Sequence, residues 1–138
     1  MTKQPLRRHL TVIATALTGL LLCSLSSAAD ASTRTVGLIA DKDNRFKLAG
    51  GAKGPLVLNS GEKVTFKITA VFGGEKARDG SVHSFVVRKL RDQGWDVRLK
   101  EGAQEFTLTA PPPGEYLIEC TVKCGSGHDS MNLRMVVQ

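Results

Sequence analysis

Five side chains in this sequence have the types and spacing to hold a metal: His83, Cys120, Cys124, His128 and Met131. Four of them fall in one stretch, CTVKCGSGHDSM, from Cys120 to Met131. The two cysteines enclose three residues, a histidine follows after three more, and a methionine after a further two. His83 lies apart, in SVHSFVV. Three chemistries compete for the cysteines. A disulfide suits an exported protein, but one closing so short a loop removes little chain entropy and leaves His128 and Met131 without a role. A structural zinc site built from Cys120, Cys124, His128 and His83 suits zinc's tetrahedral taste for nitrogen and sulfur, with Met131 idle. Copper uses the whole palette. Thiolate and thioether favour Cu(I), and imidazole serves both oxidation states. A thiolate with two histidines and a weak axial methionine makes an electron-transfer site. Ligands held in a fixed compromise geometry let the metal change charge with little movement.

Such fixity requires a rigid scaffold beneath the ligand loop. Alternation of apolar and polar residues supplies one. KVTFKITAV, Lys63 to Val71, places Val64, Phe66, Ile68 and Ala70 on one face, the period of a half-buried strand. EFTLTA pairs Phe106 with Leu108, EYLIEC alternates Tyr116 and Ile118 with Leu117, and NLRMVVQ reads as a final strand. Turn signals such as LAGGAKGP, NSGEK, FGGEKARDGS and PPPGEY separate the runs. The expectation is seven or eight short strands, drawn from 34–40, 45–48, 55–59, 63–72, 82–88, 95–99, 104–110, 115–120 and 132–137, with some merged. Short strands with Gly/Pro turns predict an all-β, antiparallel sandwich or barrel. Cys120 then ends one strand, the loop from Val122 to Met131 joins the last two, and His83 opens another strand reaching the same end. Gly125 and Gly127 allow the backbone angles a tight ligand loop needs.

The 138 residues suit one domain. The first 29 or so read as a signal peptide. Lys3, Arg7 and Arg8 form a basic start, Leu10 to Leu25 an uncharged apolar run, and SSAADAS a small-residue cleavage site with the cut near residues 29–31. The apolar run is short for a membrane span. Cys23 raises lipidation, but Leu20, Leu21 and Leu22 before it are too large for lipoprotein processing, so the reading is export without a lipid. Cleavage lowers the 19 basic residues to 16 against 13 acidic ones, a surplus of three, or four if Asp30 also leaves. That mild, scattered surplus with few aromatics excludes a nucleic-acid footprint. Only Cys120 and Cys124, His83 and His128, and Met131 and Met135 then remain of their kinds. The domain is placed at residues 34–138. No serine–histidine–acid set or carboxylate pair suggests hydrolysis.

CTVKCGSGHDSM resembles the copper loop of cytochrome c oxidase subunit II, which carries the binuclear CuA centre. The family pattern is Cys, three residues, Cys, three residues, His, two residues, Met, and Cys120, Cys124, His128 and Met131 meet it without insertion. SVHSFVV, with His83, is similar to the stretch giving the family's other histidine, and PPPGEYLIEC to the run into its first cysteine. Nitrous oxide reductase has a similar CuA domain. The likeness covers about residues 55–138. It implies a Greek-key cupredoxin fold and two coppers bridged by both thiolates. Each copper takes one histidine, with a weak methionine on one and a backbone carbonyl, here from Val122, on the other. The family usually has a glutamate at that position, whose side chain helps bind magnesium against the catalytic subunit. Val122 cannot do that, no transmembrane hairpin precedes the domain, and the aromatic cluster that guides electrons into subunit II is missing. The resemblance therefore implies a freestanding exported CuA-type domain.

Four further residues or groups have bland readings: Met135 as core, Trp95 as a packed or half-exposed strand residue, Arg88, Lys89 and Arg91 as a solvated face, and Asp129 as a loop or outer-sphere group. The leading expectation is a periplasmic carrier that passes single electrons between redox proteins, such as a cytochrome c or a terminal reductase, and catalyses nothing alone. It binds no nucleic acid and makes no stable membrane insertion after cleavage. The alternatives are a copper-delivery protein for oxidase assembly or copper tolerance, a mononuclear blue copper protein, and an oxidase-like subunit tethered to the membrane and facing the periplasm.

Overall fold

Every strand is built on the period-2 pattern, one row of side chains inward and the next outward. In the computed structural model, which describes residues 33–138, nine strands form. They are β1 (Arg34–Ala40), β2 (Phe46–Leu48), β3 (Leu56–Leu58), β4 (Lys63–Ala70), β5 (His83–Val86), β6 (Asp96–Leu99), β7 (Gly102–Thr109), β8 (Gly114–Glu119) and β9 (Asn132–Val137). The expected signal segment, its cleavage site and Cys23 lie outside the described residues. Among the described residues no helix is long and apolar enough to cross a membrane.

The strands make two sheets, ordered β2-β1-β4-β7 and β3-β9-β8-β5-β6. The inward row of β4 is the one read from the sequence, Val64, Phe66, Ile68 and Ala70, all buried. It faces Phe85, Ile118 and Met135 across the interior, in one continuous apolar core. At its centre Phe66 and Phe85 lie 5.1 Å apart between ring centroids, Phe85 stacks on Trp95 at 6.2 Å, and Phe106 sits 5.7 Å from each phenylalanine. Trp95 is fully buried rather than half-exposed, and its Nε1–H donates to the Thr109 carbonyl at 3.1 Å.

The structure differs from expectation in two respects. All nine candidate strands stay separate, most trimmed by a residue or two at an end, while β7 starts at Gly102 and β8 at Gly114, ahead of the expected 104 and 115. The sheets are mixed rather than antiparallel: β1 pairs with β4 in parallel, and β3 with β9 in parallel. The reason is topological. After the β1–β2 hairpin the chain crosses to the second sheet as β3, then returns as β4 on the open side of β1. Arg88, Lys89 and Arg91, read as a solvated face, lie on a 3-10 helical segment, Arg88–Gln93, closed by Gly94.

Candidate metal centre

One end of the sandwich gathers the candidate ligands. β8 delivers Cys120 just past its last residue, β9 begins just after Met131, and β5 begins with His83. β5 and β8 are neighbours in the sheet, so the two sequence-distant stretches meet there. The loop between β8 and β9 doubles back on itself. The His128 amide donates to the Gly125 carbonyl at 3.2 Å, and the Met131 amide to the His128 carbonyl at 2.9 Å. Gly125 has a φ of +119°, and a Cβ there would collide with the Gly73 carbonyl, so only glycine fits.

Cys120 and Cys124 are buried and free, with their sulfurs 3.8 Å apart. That is far beyond a disulfide bond. Cys124 Sγ also lies 3.5 Å from His128 Nδ1 and 3.8 Å from Met131 Sδ. Cys120 Sγ lies 3.3 Å from the Val122 carbonyl oxygen. His83, Cys120 and Cys124 present potential ligand atoms all within 4.8 Å of one another. Every candidate from the sequence is therefore at one place, with His83 fully buried and His128 half-buried. A cavity of about 180 Å³ opens beside them, lined by Arg88, Glu119, Cys120, His128, Asp129, Met131 and Asn132.

The tautomer of His83 follows from its surroundings. Its Nε2 lies 2.8 Å from the Val71 carbonyl oxygen. A carbonyl can only accept, so Nε2 carries the proton and Nδ1 keeps the lone pair. Nδ1 is buried and has no hydrogen-bond partner, and a ring nitrogen of His83 lies within 4.8 Å of both cysteine sulfurs. A buried acceptor without a donor is costly. It is what a metal-ligating imidazole looks like with its outer nitrogen already held. The residues present thus fit a copper or zinc ion, and a buried, unpartnered imidazole nitrogen beside two free thiols is the observation that makes the fit.

Burial raises both thiols, and their neighbours divide them. At Cys120 burial is opposed by backbone hydrogen bonding at Ser84 and Val122 and by the Cys124 thiol, which favour the thiolate. At Cys124 burial and the adjacent Cys120 charge act together and push it up to about 12. Loss of both protons calls for a cation beside the pair, because two buried thiolates at this distance repel.

Sequence reading missed the residues that fix these ligands. Ser84 Oγ accepts the Thr121 N–H at 2.7 Å and lies 3.0 Å from Thr121 Oγ1, tying the strand of His83 to the first cysteine. Val71 holds His83, and the Glu75 N–H donates to the Cys124 carbonyl at 3.2 Å. Met135 is core, as expected, and Asp129 is exposed at the mouth. Arg88 pairs with Glu119 at 2.8 Å, Arg91 with Asp96 at 3.3 Å, and Lys89 is exposed.

The sequence matches no protein-family model and no curated protein. The structure has clear likenesses. A heme-copper terminal oxidase dimer solved by cryo-electron microscopy aligns with a TM-score of 0.56 and 18% identity, covering 91% of this chain and 79% of that one. The periplasmic domain of cytochrome oxidase subunit II from Bradyrhizobium japonicum gives 0.52 and 15%, over 76% and 83% of the two chains. A rusticyanin variant gives 0.51 and 17%, over 78% and 79%. At these identities the likeness establishes the fold, a cupredoxin β-sandwich, the architecture of oxidase subunit II domains and of small copper proteins.

Proposed function

We propose that this chain holds a binuclear copper centre of the CuA type and passes single electrons between redox proteins. The residues that would hold it are His83 and His128 through their imidazoles, Cys120 and Cys124 as thiolates, Met131 through its thioether and Val122 through its carbonyl. One observation carries the reading: two sulfurs 3.8 Å apart, with His128 Nδ1 3.5 Å from one of them and a ring nitrogen of the buried His83 within 4.8 Å of both. A mononuclear blue copper site needs one of these thiolates and leaves the other buried beside a metal. Zinc leaves Met131 unused.

When bound, such a copper pair supplies one-electron chemistry with the charge spread over both metals. The chain's part is to hold the ligands still. The Val71 carbonyl fixes the His83 ring, Ser84 fixes the backbone at the first cysteine, and the two sheets anchor both ends of the loop. Rigid ligands keep reorganisation small when the charge changes, which is the requirement for fast transfer. The donor and acceptor are proteins of the cytochrome c or terminal reductase kind. The basic, apolar leader read from the sequence supports export of this domain to the periplasm.

Metal analysis with electron paramagnetic resonance of the copper-loaded protein decides the centre. Two coppers per chain and a seven-line hyperfine pattern, from one unpaired electron shared over two nuclei, are expected. One copper per chain with a four-line pattern would replace this reading with the mononuclear one. Fractionation of native cells tests the location. The expected product is a periplasmic protein cut near residues 29–31, and retention in membranes with an intact leader would make it a tethered domain.

A further inference from the structure

The segment between Cys124 and His128 is gripped by a residue far away in sequence. Asn44 sits in the turn between β1 and β2 at a φ of +57°, the left-handed region asparagine tolerates better than most residues. It is only 1% exposed. Its side-chain NH₂ donates to the Ser126 carbonyl, inside the ligand loop, and to the Gly73 carbonyl at 3.4 Å. Gly73 belongs to the same short segment whose Val71 carbonyl holds His83 and whose Glu75 amide holds Cys124. Asn44 therefore joins the loop of one histidine to the support of the other.

The packing around it is tight and specific. A Cβ on Gly73 would collide with Asn44 Oδ1, and one on Gly127 would press within 3.0 Å of the Asp43 carbonyl. The turn is itself fixed, because Asp41 Oδ1 accepts the amides of Asp43 and Arg45, each at 3.0 Å. Asn44 Oδ1 is buried and has no hydrogen-bond partner. A turn that needed only a positive φ would use glycine and avoid burying that oxygen. What the asparagine side chain adds is its two donations, to Ser126 and Gly73.

We propose that Asn44 is a positioning residue of the metal centre, locking the ligand loop against the Val71–Glu75 segment so that the two histidines are set at their working separation before metal arrives. This rests on the metal-centre reading above. Two variants separate its role from that of the turn. Asn44→Gly keeps the backbone conformation and removes both donors. Asn44→Asp keeps the shape and turns the donors into acceptors facing two carbonyls.

Both variants should lose copper affinity about 10- to 100-fold in competition with a Cu(I) chelator, the usual scale for groups that orient metal ligands. Both should also show an altered hyperfine pattern, and Asn44→Asp should not rescue Asn44→Gly. A third measurement needs neither variant nor metal. In the metal-free wild-type protein the His128 and Met131 amides should be protected from hydrogen exchange, because the loop is already locked. Variants with wild-type affinity and spectrum, whatever their melting temperature, would overturn the proposal and leave the copper centre standing. So would an unprotected loop in the metal-free protein. A wild-type protein that takes up no copper would overturn the centre itself, and with it this inference.

Discussion

Replacing His83 by leucine should separate metal binding from stability. In the metal-free protein the imidazole is fully buried, with one hydrogen bond to the Val71 carbonyl and an unpartnered Nδ1. Leucine has similar bulk and no polar atom. It relieves an unsatisfied buried acceptor, worth about 1–3 kcal/mol, and forfeits one hydrogen bond, worth about 0.5–1.5 kcal/mol. The Val71 carbonyl loses that donor, which raises the loss toward the same ~1–3 kcal/mol. The two effects nearly cancel, and the net change stays within about 2 kcal/mol of zero. For a domain of this size that is a shift in melting temperature of no more than about 8 °C. The assay is thermal unfolding of metal-free wild-type protein and His83→Leu, followed by circular dichroism, with copper per chain measured on the same preparations. His83→Leu should melt within about 8 °C of wild type and should fail to bind the copper pair. A fall of more than about 8 °C would mean the imidazole is a satisfied core residue, and the argument from its lone pair would be refuted.

Cys124→Ser should lower the stoichiometry from two coppers to at most one and turn the seven-line spectrum into a four-line one, because one bridging thiolate cannot hold two metals together. An unchanged spectrum would remove Cys124 from the bridge. Asp41→Asn should flatten the acid side of the stability profile. Burial raises the Asp41 carboxyl, but the Lys47 ammonium and the amides of Arg45 and Asp43 outweigh it and hold its pKa below 3.8. The folded value is thus the lower one, so this contribution is complete above the unfolded value near 3.8 and is lost as pH falls through the folded value. Asparagine can still accept the two amides, so urea midpoints measured from neutral to acid pH should converge for wild type and variant at the acid end. Parallel profiles would dismiss Asp41 as a pH-linked group.

The ligand types and the strands were legible because each is written locally. Val64, Phe66, Ile68 and Ala70 announce a strand face by period alone, and Cys120, Cys124, His128 and Met131 lie in one loop. His83 was legible through its residue type and its likeness to a known stretch. The parallel pairings were not, because Leu56 against Met135 is a contact between distant segments that no local pattern encodes. Nor was Asn44. An asparagine in a turn rich in aspartate reads as turn chemistry, and only the folded chain shows its amide reaching Ser126. The two glycines after Phe72 were read as a turn, although at Gly73 it is close approach to Asn44 that forbids a side chain.

The parallel pairing of β3 with β9 has a consequence in time. It joins segments from early and late in the described chain, and β9 must slot between β3 and β8 to complete its sheet. Contacts of such long separation are entropically expensive until many form together, and sandwiches rich in them fold in roughly milliseconds to seconds. The ligand loop closes only when β9 docks, since Met131 directly precedes it. Throughout that interval the cysteine pair is a solvent-accessible dithiol without its imidazoles. Oxidants and stray thiophilic ions then have their window, and speed of closure becomes part of how the chain guards its own sulfurs.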